Sequence, residues 1–314
     1  MNKAFLIAEY SKYSVLFRWL IVLASVSYLF CKIYTFDSTS LVDAGFYPSF
    51  FSCVYLFIVV LLMPLNITLE ALKWKVLMSK MAEVSFPNAL KSVLSGFTTG
   101  FVTPNRIGEI IGRLQHVDES KKAHAAIFVL VNSLTQNIAI AVIGMPALLV
   151  FGFTDVLVGF SVKYILMAVL LLFAFFVIIL FMLPRISKFP FLKNKWSVFA
   201  DLSTLKSGYI LMPGLLSMIR FVVFCVQFYL LLLFFNVSIS AFEGLVAIPS
   251  MYLLVTFTPA LAFTEVLTRT SYAVYFIGAY TGNTSAVLGT AFTLWLINYA
   301  IPMLPGALML LKKK

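Results

Sequence analysis

Runs of about 20 or more apolar residues, almost free of charge, limit the folds open to this chain more than any other feature, because a helix of that length crosses the hydrocarbon core of a bilayer. Of the 314 residues, 62% are hydrophobic and 11% are charged, whereas soluble domains are about 45–50% apolar and about 25% charged. A soluble fold cannot bury that much apolar surface, so the sequence predicts an all-α integral membrane protein. The predicted spans are residues 14–35, 47–78, 123–151, 161–183, 208–235 and 285–311.

Two further apolar stretches, 86–116 and 244–281, differ from these spans. Each is interrupted by a Thr-Pro pair and carries charge just beyond it. The pairs are Thr103-Pro104 and Thr258-Pro259. Thr suits the N-cap of a helix and Pro suits the first helical position, so each stretch should break at its Thr-Pro pair and start a new half-helix there.

Lys and Arg set the orientation of these segments, since cytoplasmic loops are rich in them. The ranges 1–12, 73–91, 106–122, 185–206 and 312–314 hold 18 of the 23 basic residues, and the connectors 35–46, 152–160, 236–243 and 281–284 hold none. The first set should lie in the cytoplasm, together with both termini. The stretch 86–116 then enters and leaves on the cytoplasmic side, and 244–281 does so from outside. The sequence therefore predicts six full spans plus two re-entrant helical hairpins.

The two halves of the chain, residues 1–155 and 156–314, follow one plan. Each half runs span, span, re-entrant hairpin, span, and the first starts inside while the second starts outside. This is an inverted-topology 3+3 repeat within a single transmembrane domain, a plan that recurs among secondary transporters.

One short motif occurs in both hairpins: Thr-Pro, four or five residues, Glu, three residues, Arg. Its positions are Thr103, Pro104, Glu109 and Arg113, then Thr258, Pro259, Glu265 and Arg269, with Arg106 inside the first copy. A half-helix that starts at the Thr-Pro pair directs free amide N–H groups and the positive end of its dipole into the membrane, where they attract phosphate or carboxylate. We therefore expect these residues to bind an anionic substrate.

Each Glu of the motif precedes its Arg by about one helical turn, the favourable order for an ion pair on one helical face. A charge at membrane depth costs at least about 2.5–3.5 kcal/mol on insertion scales, so such charges are usually paired. Two interpretations stay open. Each pair neutralises itself and holds its hairpin, or it takes part in binding and moving an anionic substrate.

Four other polar residues in the predicted spans are candidates for lining a cavity. Glu70 lies within apolar sequence, near the cytoplasmic end of its span. Asn132 and Gln136 are one helical turn apart, which indicates a face turned toward the bundle, and both interhelical hydrogen bonds and cavity lining explain it. Arg220 is a candidate phosphate partner, although snorkelling explains its position equally well. The residues expected to anchor the cytoplasmic interface are Lys73, Trp74 and Lys75.

The segment from Gly96 to Arg113 resembles the first signature of the lysylphosphatidylglycerol synthase transmembrane region family, a flippase-like integral membrane domain. The matching residues are Pro104, Arg106, Gly108, Glu109 and Arg113. The stretch from Pro259 to Glu265 is similar to the second signature of that family, and Glu70-Ala71-Leu72-Lys73-Trp74 also matches. The resemblance implies a flippase or headgroup-translocating domain, with a headgroup cavity between inverted repeats.

The chain departs from the family pattern in two ways. The second signature usually has a glycine-rich lead into its Glu, whereas this chain has Ala260-Leu261-Ala262-Phe263-Thr264. No soluble aminoacyl-transfer domain follows Lys314, so lipid aminoacylation by this chain alone is not expected.

The patterns favour a lipid flippase that moves an anionic phospholipid or lipid-linked headgroup across the cytoplasmic (inner) membrane of a bacterium. The alternative is a secondary transporter of a small solute, coupled to protons through Glu109 or Glu265. A membrane enzyme of glycolipid assembly is the third hypothesis, but the chain lacks a catalytic constellation, so we expect it not to be an enzyme.

The expected partners are membrane lipids with anionic headgroups and a separate lipid-modifying enzyme. The net charge of +11 lies at the ends of apolar runs, so nucleic acid is not expected. His116 and His124 fall in one short basic connector and the three cysteines are scattered, so neither a metal nor another cofactor is expected. The sequence indicates no oligomeric state.

Overall fold

The computed structural model of the protein describes residues 50–79, 81, 83–101, 107–153, 207–258 and 265–311, and all regular structure within these ranges is helical. The helices are α1 (Phe50–Met78), α2 (Phe86–Phe101), α3 (Gly108–Leu114), α4 (Lys122–Phe153), α5 (Ser207–Phe234), α6 (Ala241–Phe257), α7 (Glu265–Ile277), α8 (Thr284–Trp295) and α9 (Ile301–Leu311). A 3-10 turn, Glu119–Lys121, leads into α4, and a π-helical segment, Leu296–Ala300, joins α8 to α9.

Four stretches among the described residues are long and apolar enough to cross a membrane. They are Ser52–Met78, Glu119–Gly152, Ile210–Phe234 and Thr284–Met309. Each agrees with a span predicted from the sequence, because the length of an apolar run largely decides where a spanning helix begins and ends. The other two predicted spans, 14–35 and 161–183, lie outside the described residues.

The stretch 86–116 folds as two antiparallel helices, α2 and α3. The Thr99 hydroxyl near the end of α2 donates to the Gly108 carbonyl at the start of α3, at 2.6 Å. The hydroxyl oxygen of Ser95, one turn earlier in α2, lies 2.8 Å from Nε2 of His116, a residue just after the end of α3. A Cβ on Gly112 would lie 2.3 Å from the Ser95 carbonyl oxygen, so only glycine permits this close approach.

The stretch 244–281 is also interrupted, between α6 and α7. Helix α6 starts with a capping box, in which Ser240 accepts from the Glu243 amide and the Glu243 carboxylate accepts from the Ser240 amide. It ends at Thr258, whose backbone N–H and hydroxyl both donate to the Leu254 carbonyl. Thr258 therefore caps the end of the helix that precedes it.

The helix start predicted at Thr103-Pro104 is not where α3 begins. Helix α3 starts at Gly108, with Ile107 as an N-cap that makes no side-chain hydrogen bond. Thr103, Pro104 and Arg106 themselves lie outside the described residues. The same holds for Pro259, so the start of the second half-helix is untested.

Helices from the two parts of the chain pack against each other in a reciprocal pattern. Helix α1 packs along α5, while α4 packs on α6 and α9 on α2. Glycines permit the last two contacts. A Cβ on Gly144 of α4 would lie 2.9 Å from the Pro249 carbonyl oxygen of α6, and a Cβ on Gly306 of α9 would lie 2.1 Å from the Leu94 carbonyl oxygen of α2. Such small-residue contacts are typical of helix pairs in membranes, where close backbone approach supplies much of the packing energy.

Buried apolar side chains form two main clusters. The larger involves α4 to α8 and contains Phe151, Phe228 and Tyr252. The smaller joins α1, α2 and α4 around Trp74. Polar side chains from α1, α3, α4 and α5 also meet inside the bundle.

Candidate functional site

A cavity of about 580 Å³ lies where the two interrupted stretches face each other. Its wall includes Phe97, Ile107 and Glu109 of the first stretch and Thr258 and Arg269 of the second. Glu70 of α1, helices α4 and α5 and the π segment complete the wall. The two copies of the motif thus contribute to one site, although they lie far apart in the chain.

Glu70, on α1, is the centre of the polar network beside this cavity. Its Oε1 accepts from Arg113 Nη2 and from Asn132 Nδ2, both at 2.6 Å. Its Oε2 pairs with Arg220 Nη1 at 3.0 Å and with Lys73 Nζ at 3.3 Å. The carboxylate is 3% exposed, so these four donors take the place of water around it.

Arg113 connects Glu70 to the first motif. It forms an ion pair with Glu109, which confirms the pairing predicted from their i, i+4 spacing. Its guanidinium carbon also lies 5.5 Å from the centre of the Trp74 ring, within cation–π range. Glu109 lines the cavity, whereas Arg113 lies behind it and is 1% exposed.

Lys73 and Trp74 are both fully buried, at 0% exposure, so their predicted role as an interfacial anchor is wrong. Lys73 Nζ donates to Gln136 Oε1 at 3.2 Å as well as pairing with Glu70. Lys75 follows Trp74 in the chain and is exposed, so its role as an interfacial anchor stays a prediction. The Lys-Trp-Lys sequence fits an interfacial belt by composition. Successive helical positions point about 100° apart, so the three side chains cannot all face one surface, and here the first two face inward.

Arg220 joins the site from α5. Besides pairing with Glu70, its Nη1 donates to Gln136 Oε1 at 3.2 Å, and its guanidinium lies 5.2 Å from the Phe224 ring centre. It lines the cavity and is 11% exposed. These contacts hold Arg220 inside the bundle, so snorkelling does not explain its position, and its role as a phosphate partner stays a prediction.

Both explanations for the polar face of α4 apply. Asn132 and Gln136 hydrogen-bond to side chains of neighbouring helices, and both also line the cavity. Gln136 Nε2 donates to the Ser217 carbonyl on α5 at 3.3 Å, which ties α4 to α5 at the same level.

On the other side of the cavity, Arg269 lies between two tyrosines. Its guanidinium carbon is 5.1 Å from the Tyr252 ring centre and 5.2 Å from that of Tyr299, and it donates to both phenol oxygens, at 3.2 and 3.4 Å. The predicted partner, Glu265, begins α7, but its side chain is outside the part that the structure describes. The Glu265–Arg269 pair therefore stays a prediction.

A second buried polar cluster was not predicted from the sequence. Gln227 Oε1 on α5 accepts from Asn66 Nδ2 of α1 at 2.6 Å and from Asn298 Nδ2 of the π segment at 2.9 Å. All three side chains are at most 5% exposed. Each is a single polar residue in an apolar run, a signal that points to an internal contact but not to its partner.

Among the described residues, no group of three His, Cys, Asp or Glu side chains could hold a metal ion. The chemistry available at the cavity is instead that of guanidinium, carboxylate, amide and phenol groups. Such groups bind charged ligands and exchange protons.

Comparisons with curated proteins and with solved structures gave no match. A model of one family, described as the lysylphosphatidylglycerol synthase TM region, matches residues 15–307. The match covers both interrupted stretches, α1 with Glu70, and α5 with Arg220. The chain therefore belongs to the lysylphosphatidylglycerol synthase transmembrane region family.

Proposed function

We propose that this protein moves the anionic headgroup of a lipid across the membrane while the acyl chains stay in the bilayer. Membership of the family indicates an integral membrane protein of lipid metabolism or transport. The observation that carries the finer proposal is the cavity that both motif-bearing stretches line, with Arg220 and Arg269 in its wall.

The charges around the cavity favour an anion. The described charged side chains at or directly behind the wall are the cations Lys73, Arg113, Arg220 and Arg269 and the carboxylates Glu70 and Glu109. Cations outnumber carboxylates in this set, and Arg is the side chain best suited to phosphate because its planar guanidinium offers paired N–H donors.

The mouth of the cavity favours a lipid over a water-soluble solute. Ile107 and Leu130 line the cavity and are 57% and 58% exposed. Ile111, one turn along α3 from Ile107, is 59% exposed. A polar interior that opens beside exposed apolar side chains suits a molecule with a charged headgroup and hydrocarbon tails.

The reciprocal packing of the helices supports the architecture that this function needs. We propose six full spans, two re-entrant hairpins and an inverted repeat of residues 1–155 and 156–314, with both termini in the cytoplasm. If each helix is replaced by its counterpart in the other half, the α4–α6 contact becomes the α9–α2 contact. Helices α1 and α5 are counterparts of each other, so their contact is unchanged. A site between such repeats can open alternately to either side.

The proposal assigns no bond-making step to the chain. The lipid it moves would be made by a separate enzyme of the same membrane, and its substrate would reach the cavity from within the bilayer. The expected membrane is the cytoplasmic membrane of a bacterium.

Transport in proteoliposomes tests the proposal. Vesicles that contain the purified protein and acyl-labelled phosphatidylglycerol are treated with an impermeant quencher, and the loss of the protected inner-leaflet signal is followed with time. We expect the wild type to accelerate this loss and Arg220→Gln or Arg269→Gln to slow it at least about tenfold, since each removes a charge-assisted contact. Lys75→Gln, at an exposed site on α1, is the control and should match the wild type. Equal rates for vesicles with and without protein would refute lipid transport.

A proton-coupled transporter of a small solute is the second candidate, because Glu109 lines the cavity and is 16% exposed. In that case Glu109→Gln would abolish solute uptake driven by a pH gradient. It would leave lipid movement unchanged.

A further inference from the structure

The Glu70 carboxylate has three hydrogen-bond donors besides Arg220. Arg113, Asn132 and Lys73 each donate to it, and Arg220 adds an ion pair at 3.0 Å. Loss of the Arg220 contact still leaves the three hydrogen bonds. Glu70 can therefore release one partner without becoming an unpaired buried charge.

Arg220 differs from the other two cations bound to Glu70. Lys73 and Arg113 are 0% and 1% exposed and lie behind the cavity, whereas Arg220 is 11% exposed and forms part of its wall. An anion that enters the cavity thus meets Arg220 first. Arg220 is the partner that Glu70 can lose to it.

Arg220 also has unused capacity to bind an anion. Its Nε has no hydrogen-bond partner among the described residues, although it is buried. Its Nη1 is shared between Glu70 Oε2 and Gln136 Oε1. A phosphate oxygen that replaced Glu70 would still leave Arg220 held by Gln136 and by the Phe224 ring, 5.2 Å away.

We propose that Glu70 is a resident counter-anion, which occupies Arg220 while the cavity is empty and which the phosphate of the lipid headgroup must displace. This inference rests on the proposed function and names how the site selects its substrate. A headgroup without phosphate or another anionic group has nothing to offer Arg220 in exchange, so it leaves the Glu70–Arg220 pair closed.

The exchange also links binding to the contact between the two halves of the protein. Glu70 lies on α1 and Arg220 on α5, and these helices pack along each other. The other donors to Glu70 come from α1, α3 and α4, all in the first half. When phosphate takes Arg220, the first half keeps its own network intact and loses an ion pair to the second half.

Binding measurements test the exchange directly. The probe is dihexanoyl phosphatidylglycerol, titrated into the protein in a neutral detergent, with dihexanoylglycerol as the phosphate-free comparison. We expect Glu70→Gln to bind the phosphate probe about tenfold more tightly than the wild type, a gain typical of coupling between two competing groups. Arg220→Gln should bind it more weakly, and Glu70→Gln should bring no gain when Arg220→Gln is present. The phosphate-free probe should bind all variants alike.

Glu109→Gln makes the same change in net charge without touching Arg220, so it separates exchange from a general field effect. Its gain in affinity should be clearly smaller than that of Glu70→Gln. Equal gains from the two variants would overturn the proposal, because the charge of the site alone would then explain them.

A further pair of variants covers the case in which Glu70→Gln does not fold. Glu70→Gln combined with Lys73→Met preserves the net charge of the network, and Lys73→Met alone is its reference. The double variant should bind the phosphate probe about tenfold more tightly than its reference, and identical affinities would overturn the proposal.

The lipid-transport assay is run in parallel, so that the two ideas fail separately. If the wild type moves no lipid but Glu70→Gln gains affinity for the phosphate probe, the exchange stands and the transport function falls. If the wild type moves phosphatidylglycerol while Glu70→Gln and the wild type bind the probe equally, the exchange is overturned and the transport function stands.

Discussion

Arg113 illustrates how single residues keep charge inside apolar surroundings in this protein. It is 1% exposed and is held by Glu70, by Glu109 and by the face of Trp74. A buried cation is tolerated only when it is paired and hydrogen-bonded, and its removal is costly for a carboxylate that has no second cation. The network is therefore most sensitive at its most buried members.

Replacement of Arg113 should lower the stability of the fold far more than replacement of a surface cation. We expect Arg113→Met to lower the free energy of unfolding by about 3–5 kcal/mol, since Glu70 loses one of its cations and Glu109 keeps no ion pair among the described residues. Lys122→Met removes an exposed pair with Glu119 and should cost less than about 1 kcal/mol. Unfolding in detergent against added denaturant measures both. Similar losses from the two variants would contradict the account of Arg113.

At the residue scale, the sequence predicted local pairs and missed distant ones. The spacing of Glu109 and Arg113 places them on one helical face, and they do pair. The Glu70–Arg220 contact joins two helices far apart in the chain, and no local spacing encodes it. An Arg near the inner end of a span fits snorkelling as well as a buried ion pair, so only the packing of α1 on α5 decides between them.

At the element scale, the spans follow from the apolar runs and α6 ends at Thr258, where a break was predicted, whereas α3 does not start at Thr103-Pro104. Residues 123–151 and 208–235 were predicted as spans, and the helices run Lys122–Phe153 and Ser207–Phe234. Hydrophobic length is a property of the local sequence, so such bounds are accurate. At the start of α3, the Thr99 hydroxyl of α2 donates to the Gly108 carbonyl, a contact between helices that no local pattern predicts.

The close contact between α9 and α2 should not tolerate a larger side chain at Gly306. A Cβ there would lie 2.1 Å from the Leu94 carbonyl oxygen, which is backbone and cannot turn aside. We expect Gly306→Ala to destabilise the protein by about 1–3 kcal/mol through overpacking. Thermal unfolding in detergent provides the measurement.

Gly214 on α5 is the matched control, because a Cβ there would meet nothing within 4 Å. Gly214→Ala should be neutral or stabilising by up to about 1 kcal/mol, as expected for Ala replacing Gly inside a helix. If Gly306→Ala also raised the melting temperature, the close contact between α9 and α2 would not exist in the native protein.

At the scale of the whole molecule, the reciprocal packing of α4 on α6 and of α9 on α2 supports a chain whose halves are inserted in opposite directions. The orientation itself was predicted from the distribution of Lys and Arg. It depends on the membrane, which no contact between residues reports, and so it needs a direct measurement.

Labelling of single cysteines measures the orientation. In a protein with Cys31, Cys53 and Cys225 replaced by Ala, an impermeant maleimide should reach Ser79→Cys and Ser120→Cys from the cytoplasmic side only. It should reach Ser238→Cys and Gly282→Cys from outside only. The native residues at all four sites are exposed, and the sites flank the two interrupted stretches. Labelling of Ser79→Cys and Ser120→Cys from opposite sides would show that the first stretch crosses the membrane, which would exclude the re-entrant hairpin.

The ion pair of Glu70 and Lys73, one turn apart on α1, matters before the rest of the protein has been synthesised. Helix α1 leaves the ribosome well before Arg113 and Arg220, and a lone carboxylate would cost roughly 2.5–3.5 kcal/mol when this helix enters the lipid. Lys73 alone would carry a similar cost, so the pair should cost less than its two charges apart. In a nascent chain truncated before residue 108, the gain in insertion from Glu70→Gln plus Lys73→Met should therefore exceed the sum of the gains from the two single variants, as measured by protease protection. Helix α1 thus brings its own neutralising charge into the bilayer, and the later helices take over the carboxylate as they arrive.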